Sequence, residues 1–215
     1  MEVNLTSKLP RGTRNVEARL ADKTPERIRI SRQFGQEYFD GDRSYGYGGY
    51  NYDGRWLPVA QDMVRWYSLR SGARVLDIGC AKGFLVKEFG TVGMNAFGLD
   101  ISDYALSNCH PDVVGRLHKG NAVDLPFPDH SFDVVICINT LHNLPRDLCI
   151  QALKEIERVT TGGKAYIQVD SYNSKAEREL FLEWALTCET HGYHEDWLKI
   201  FAEAGYTGDF NWTYL

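Results

Sequence analysis

Two carboxylates stand where an open α/β sheet does its chemistry. Asp77 lies in the apolar run Val75-Leu76-Asp77-Ile78 and is followed at once by Gly79-Cys80-Ala81-Lys82-Gly83, while Asp100 closes a second apolar run that begins at Ala96. The pattern reads as a buried parallel strand, a tight turn and the start of a helix, with Gly79 and Gly83 letting the backbone turn and approach a ligand. A nucleotide-shaped ligand is the first expectation, and charge decides which one. A dinucleotide site needs G-x-G-x-x-G and backbone N–H groups turned to a pyrophosphate, which a carboxylate beside the turn would repel. A carboxylate suits a ligand whose amino-acid end is cationic, and S-adenosylmethionine carries both an ammonium and a sulfonium. Asp100, at the next strand end, stands where such folds bind ribose hydroxyls.

With that ligand the chemistry is methyl transfer, which needs a nucleophile in line behind the methyl carbon and water excluded. An alcohol acceptor also needs a base, whereas a neutral amine or a carboxylate attacks with little help. The side chains expected at the same sheet edge are Asn139, His142 and Asn143 after one strand and Asp170, Ser171 and Tyr172 after the next. His142 is one candidate base, set against a packing role at a helix start. Asp170 is the other, set against a helix cap. His191 and His194 lie near Glu189, Glu195 and Asp196, but the spacing fits no metal-ligand pattern and no metal is expected.

Residues 39–56 are the most biased stretch. Tyr45, Tyr47, Tyr50 and Tyr52 alternate with glycines and the run closes on Trp56, a pattern of neither helix nor strand. The functional reading is a mobile aromatic lid over cofactor or acceptor, with glycine as hinge and tyrosine as contact surface. The competing reading is an ordered loop whose rings pack on the domain.

The elements that must hold these residues alternate. Residues 1–24 read as a loosely held polar arm, broken by Pro10 and Gly12. Thr24-Pro25 starts a helix that runs to about Tyr38, and residues 57–69 restore helical spacing. Strands are expected at 73–78, 95–100, 115–119, 132–139 and 164–170, and helices at 84–89, 102–109, 146–160 and 195–204, the last capped by Gly205. Residues 176–186 read as a helix running into a strand near 184–190, and 206–215 as extended. Alternating strands and helices give a right-handed, doubly wound, mostly parallel sheet. The expected division is an N-terminal arm, helix and lid over 1–56 and a Rossmann-like α/β domain over 57–215.

Four blocks in this order resemble the class I S-adenosylmethionine-dependent methyltransferases, especially their small-molecule branch. They are Val75-Leu-Asp-Ile-Gly-Cys-Ala-Lys-Gly83, Gly98-Leu-Asp-Ile-Ser102, Gly120-Asn-Ala-Val-Asp-Leu-Pro-Phe-Pro-Asp-His-Ser-Phe-Asp133 and Val134-Val-Ile-Cys-Ile-Asn-Thr-Leu-His-Asn143. Two positions depart from the family pattern: Ala81 replaces the usual middle glycine, and Asn121 the usual acid before the adenine-contacting Ala122. The resemblance implies a seven-stranded type of sheet ending in an antiparallel pair, for which 184–190 and 206–215 are the candidates. It also implies a cofactor site in which Asp77 lies near the methionyl ammonium and Gly79, Cys80, Ala81 and Gly83 form the turn. Asp100 takes the ribose beside Ile101, Asn121 and Ala122 lie at adenine, and Asn139 closes the fourth strand.

Composition narrows the partners. A chain of 215 residues can bury one good core, and its formal charge of -5 argues against a broad phosphate-binding surface. Neither an Asn/Asp-Pro-Pro-aromatic motif nor a catalytic Pro-Cys is present, so nucleic acid is disfavoured as acceptor. The cysteines Cys80, Cys109, Cys137, Cys149 and Cys188 are scattered without a C-x-x-C pair, as in a reduced cytoplasmic protein. No signal segment or membrane span is expected, and the chain reads as a monomer or homodimer. The expected function is O- or N-methylation of a small polar metabolite, such as a sugar or amino-acid derivative. A non-catalytic protein that holds S-adenosylmethionine or S-adenosylhomocysteine is the alternative; turnover with any metabolite pool would exclude it. A nicotinamide-dependent reductase is the third reading, and Asp77 argues against it.

Overall fold

In the computed structural model, which describes residues 1–10 and 16–215, the apolar runs become strands of a single sheet. β1 (Arg74–Ile78), β2 (Asn95–Asp100), β3 (Leu117–Lys119), β4 (Val134–Ile138), β5 (Ala165–Asp170) and β6 (Asp209–Thr213) pair in the order β3-β2-β1-β4-β5-β6. Every pairing is parallel. A parallel strand is covered on both faces, which is why β4 is almost continuously apolar. Its residues alternate between two cores: Val135 and Cys137 join Ile156, Ile167 and Trp197, while Val134 and Ile136 join Met63, Phe89 and Tyr166. The first core is covered by the helices α7 (Arg146–Val159) and α9 (His194–Ala204), the second by α4 (Leu57–Trp66) and α5 (Phe84–Thr91). No helix among the described residues is long and apolar enough to cross a membrane.

Strand order reverses between β1 and β4, and a ligand crevice forms at such a switch point, outside the C-terminal strand ends. β1 delivers Asp77 there, β2 delivers Asp100, and the turn after β4 delivers Asn139.

The sheet ends differently from expectation. Residues 185–190 form no strand but follow α8 (Lys175–Trp184) as irregular chain, and 206–215 enters the sheet as β6, parallel to β5. The backbone of 185–190 is engaged elsewhere. The N–H groups of Glu189 and Thr190 donate to the His142 carbonyl at 2.9 and 3.0 Å, and Thr190 Oγ1 donates to the Leu144 carbonyl. This segment pins the loop after β4 instead of extending the sheet.

The long helix expected from Thr24-Pro25 is two. Thr24 caps α2 (Pro25–Ser31) by accepting from the Arg27 N–H, and the chain then breaks at Phe34, φ 49°, before α3 (Gln36–Asp40). The break is held by tertiary contacts: the Phe34 carbonyl accepts from Ser102 Oγ at 2.5 Å, and its ring meets Tyr38 edge-on. Residues 1–9 are also not loose. Val3 donates to the Phe210 carbonyl at 2.9 Å, Leu5 is buried, and Thr6 Oγ1 donates to Gln168 at 2.7 Å. A short helix α1 (Val16–Asp22) precedes α2; the part of the expected arm at 11–15, with Gly12, lies outside the described residues.

Candidate active site

Three cavities meet at the switch point, and all three have Tyr47 and Asn139 in their walls. The first, about 140 Å³, is lined by Gly79, Asp100, Ile101, Asn121, Ala122 and Asn143. The second, about 410 Å³, is lined by Asp77, Cys80, Ala81, Tyr50, Arg55 and Trp56. The third, about 220 Å³, carries Arg19, Arg43, His142, Asp170 and Trp184. Gly83 stands apart from all of them: it caps α5, and a side chain there would meet Val113 and Leu117.

The turn after β1 is built tightly. Gly79 has φ +76°, and a Cβ there would lie 2.0 Å from Thr140 Oγ1, so the turns after β1 and β4 approach as closely as glycine allows. Ala81 is also left-handed, with φ 50°, which costs a residue bearing Cβ roughly 1–2 kcal/mol. Its N–H donates to Asp100 Oδ2 at 2.7 Å, while the Ser102 N–H donates to Asp100 Oδ1 at 2.8 Å. One carboxylate thus fixes both the strained turn and the start of α6 (Asp103–Ser107).

Asp77 has the opposite environment. It is 5 % exposed, and no group among the described residues donates a hydrogen bond to its carboxylate. Burial first, and the Asp100 charge second, push its pKa up to about 7. An unpartnered buried carboxyl on a cavity wall is a costly arrangement that a bound cation would relieve. A second orphan lies nearby: Asn143 Oδ1 is buried without a donor among the described residues and borders the first cavity. Sequence reasoning set Asn143 on the acceptor side, because the tight turn over 141–143 that aims it leaves no local signal. Asn121 is more self-contained, with its Oδ1 accepting from the Val123 N–H at 3.2 Å.

His142 and Asp170 come together as the chain order suggested. His142 Nδ1 lies 3.5 Å from Asp170 Oδ2 and accepts from the Asp170 N–H at 3.2 Å. An Nδ1 that accepts puts the proton of the neutral ring on Nε2. Asn139 is held by Thr213 Oγ1, which donates to its Oδ1 at 2.8 Å. His191 instead meets the Tyr172 hydroxyl, and His194 stacks on Trp212.

The aromatic stretch covers the cavities but divides in two. Tyr47, Tyr50 and Trp56 line them; Tyr47 keeps 44 % of its surface accessible, and Tyr50 stacks on Phe84 at 4.9 Å. Tyr45 instead lies under Arg27, and Tyr52 hydrogen-bonds Glu88 and Lys87, so these two face away. The cover is tied to the glycine turn through Asp40, which pairs with Lys82 at 2.6 Å and accepts from the Tyr104 hydroxyl and the Tyr50 N–H. Arg19, Arg43, Trp184 and Tyr38 complete the walls. None of the four was picked out from sequence, because only the tertiary fold brings them to this edge.

Residues 76–167 match a family model described as a methyltransferase domain. A demethylmenaquinone methyltransferase of Geobacillus kaustophilus is 35% identical over 119 residues, covering 51% of this chain and 50% of that protein. A 2-methyl-6-phytyl-1,4-hydroquinone methyltransferase of Synechocystis sp. is 29% identical over 179 residues, 72% of this chain and 54% of its own length. The chain spans about half the length of these curated relatives. Among solved structures, the YcgJ protein of Bacillus subtilis superposes with a TM-score of 0.56 at 20% identity, covering 67% of this chain and 66% of that one, a likeness of fold.

Proposed function

We propose that the chain is a class I S-adenosylmethionine-dependent methyltransferase that methylates a small polar metabolite at oxygen or nitrogen, a reading supported by the methyltransferase-domain match over residues 76–167. The observation that carries this reading is Asp77, a buried carboxyl without a hydrogen-bond donor among the described residues, on a cavity contiguous with one bordered by Asp100 and the orphaned Asn143. These groups fit S-adenosylmethionine. Asp77 would face its ammonium, Asp100 its ribose hydroxyls and Asn121-Ala122 its adenine, with Asn143 Oδ1 able to accept from the adenine amino group.

When bound, the cofactor supplies a methyl carbon on a sulfonium; the C–S bond breaks as the acceptor's oxygen or nitrogen bonds to carbon, leaving S-adenosylhomocysteine and releasing the acceptor's proton. Asp170 is the better base. The Nδ1 lone pair of His142 is engaged by a backbone N–H, so His142 serves to hold the Asp170 segment and can donate from Nε2. Tyr47, Tyr50 and Trp56, which line the cavities, exclude water. The names of the relatives point to quinone-type acceptors, but the third cavity is walled by charged groups and suits a polar molecule better than an apolar tail. A methyl-label transfer screen of the purified protein against metabolite extracts tests the reading. Labelled polar product is expected, and binding without turnover would leave the chain a cofactor-holding protein.

A pH dependence follows from Asp77. Its carboxyl is raised from an ordinary value of roughly 3.9 to about 7 in the folded protein. The folded state therefore holds this proton longer than the unfolded chain, and stability of the empty protein falls as pH climbs through that window. An ammonium beside it favours the ionised form. Cofactor affinity is expected to rise as pH approaches 7 and to fall again above roughly 8, where an α-amino group loses its charge. Calorimetry from pH 6 to 9 reads this directly, and Asp77→Asn should flatten the acid limb. A parent protein with the same affinity at pH 6 and 7.5 would remove the Asp77 assignment.

A further inference from the structure

Arg19 is 7 % exposed, and its guanidinium lies 4.5 Å over the Trp184 ring. Arg43, from the loop after α3, lies 5.6 Å over the same ring, and both arginines donate to one acceptor, the Gly46 carbonyl. Neither forms an ion pair among the described residues. The acids nearest in sequence are engaged: Asp42 accepts from the Ser44 N–H at 2.8 Å, and Asp22 pairs with Arg27 at 2.7 Å. Residues 11–15 add two more arginines and no acid to the sequence. Burial, followed by the Arg43 charge beside it, lowers the Arg19 pKa. Two guanidiniums share one ring and one carbonyl without an ion pair among the described residues, the charges of Asp22 and Asp42 reaching Arg19 only from a distance, on the wall of the cavity that also holds His142 and Asp170.

A guanidinium presents a planar fork of N–H donors that matches the oxygens of a carboxylate or phosphate. We propose that Arg19 and Arg43 bind an oxyanion of the methyl acceptor, so that its reacting atom is turned toward Asn139 and Asp170. The inference rests on the methyltransferase reading and narrows the acceptor to anionic metabolites. The cofactor's own carboxylate is a different partner. Arg43 also borders the second cavity, where that carboxylate would lie, but Arg19 borders only the third. Arg19 is therefore the discriminating residue.

The test uses the full chain saturated with S-adenosylhomocysteine, and four probes at matched ionic strength: benzoate, phenyl phosphate, benzamide and benzyl alcohol. Calorimetry should find binding of one or both anions and at least tenfold weaker binding of the neutral probes; which anion binds tells carboxylate from phosphate. Arg19→Gln should weaken anion binding at least tenfold while S-adenosylhomocysteine affinity stays within twofold of the parent, and Arg19→Lys should recover part of the loss. Benzamide binding as well as benzoate, or no binding of either anion, would overturn the proposal. So would an Arg19→Gln protein that loses S-adenosylhomocysteine affinity in step with the anion, since the pair would then hold the methionyl carboxylate. If Arg19→Gln does not fold, Arg19→Lys must give the same separation in direction, with anion binding weakened severalfold and S-adenosylhomocysteine affinity within twofold of the parent. A parent that binds the anions but no S-adenosylhomocysteine would instead sink the methyltransferase reading, and the acceptor role with it.

Discussion

Asp100→Ala is expected to weaken S-adenosylhomocysteine binding roughly a hundredfold and to lower the melting temperature with it. In the assigned role its carboxylate accepts charge-assisted hydrogen bonds from the ribose hydroxyls, each worth about 1.5–3 kcal/mol. The same oxygens also accept from the N–H groups of Ala81 and Ser102. Truncation leaves both backbone donors without that partner, at about 1–3 kcal/mol each where they are buried. The variant therefore loses ligand contacts and the support of a strained turn together. Asp124→Ala, in the loop below the first cavity, is the control and should change affinity little. Calorimetry and thermal melting on the three proteins separate the roles. Lower stability with undiminished affinity would reduce Asp100 to turn support, and parental values for both would remove it from the site.

A second large loss is expected from Gly79→Ala. The new methyl would stand 2.0 Å from Thr140 Oγ1 and 2.8 Å from Thr140 Cβ, and the backbone would stay at φ +76°. Left-handed strain alone accounts for about 1–2 kcal/mol. The collision adds to it by pushing the turns after β1 and β4 apart, across the mouth of the crevice. Cofactor affinity should fall by more than tenfold. Thr140→Gly alone should do much less, and the double variant should recover a substantial part of the loss, because only the backbone strain remains. A double-mutant cycle measures the coupling. Additive losses would show that the clash is not the cause and that Gly79 matters only for its φ.

How much of this was readable in advance depended on whether the cause was local. The run from Val134 to Cys137 is apolar because a parallel strand is buried on both faces, and Gly205 ends α9 because it adopts the left-handed cap conformation, φ 69°. Both signals lie within a few residues of what they determine. Asp77 and Asp100 were found in the same way, from their places at strand ends. The break at Phe34 was not, since Gly35 beside it only weakens a helix; the contact that holds the break comes from Ser102. The same holds for the irregular chain at 185–190, whose backbone donors are claimed by the His142 carbonyl. Arg19 is the extreme case. It sits in a seven-residue helix too short to show a pattern of its own, and becomes notable only once Trp184 and Arg43 are beside it.

The pairing of Val3 with Phe210 has a consequence for the order in which the protein is made. Synthesis delivers β1, β2 and β4 before β5, and their parallel pairings can form while later residues are still unmade. Val3 has no backbone partner until β6 exists, whereas Lys8 can pair with Asp62 and Thr6 can bond Gln168 earlier, so the Val3 contact is among the last to form. Its closure spans nearly the whole sequence and carries a large loop entropy, which grows only logarithmically with length but is recovered late. During that interval the outer edge of β5 stands open, and protection from association falls to the speed with which α9 and β6 arrive.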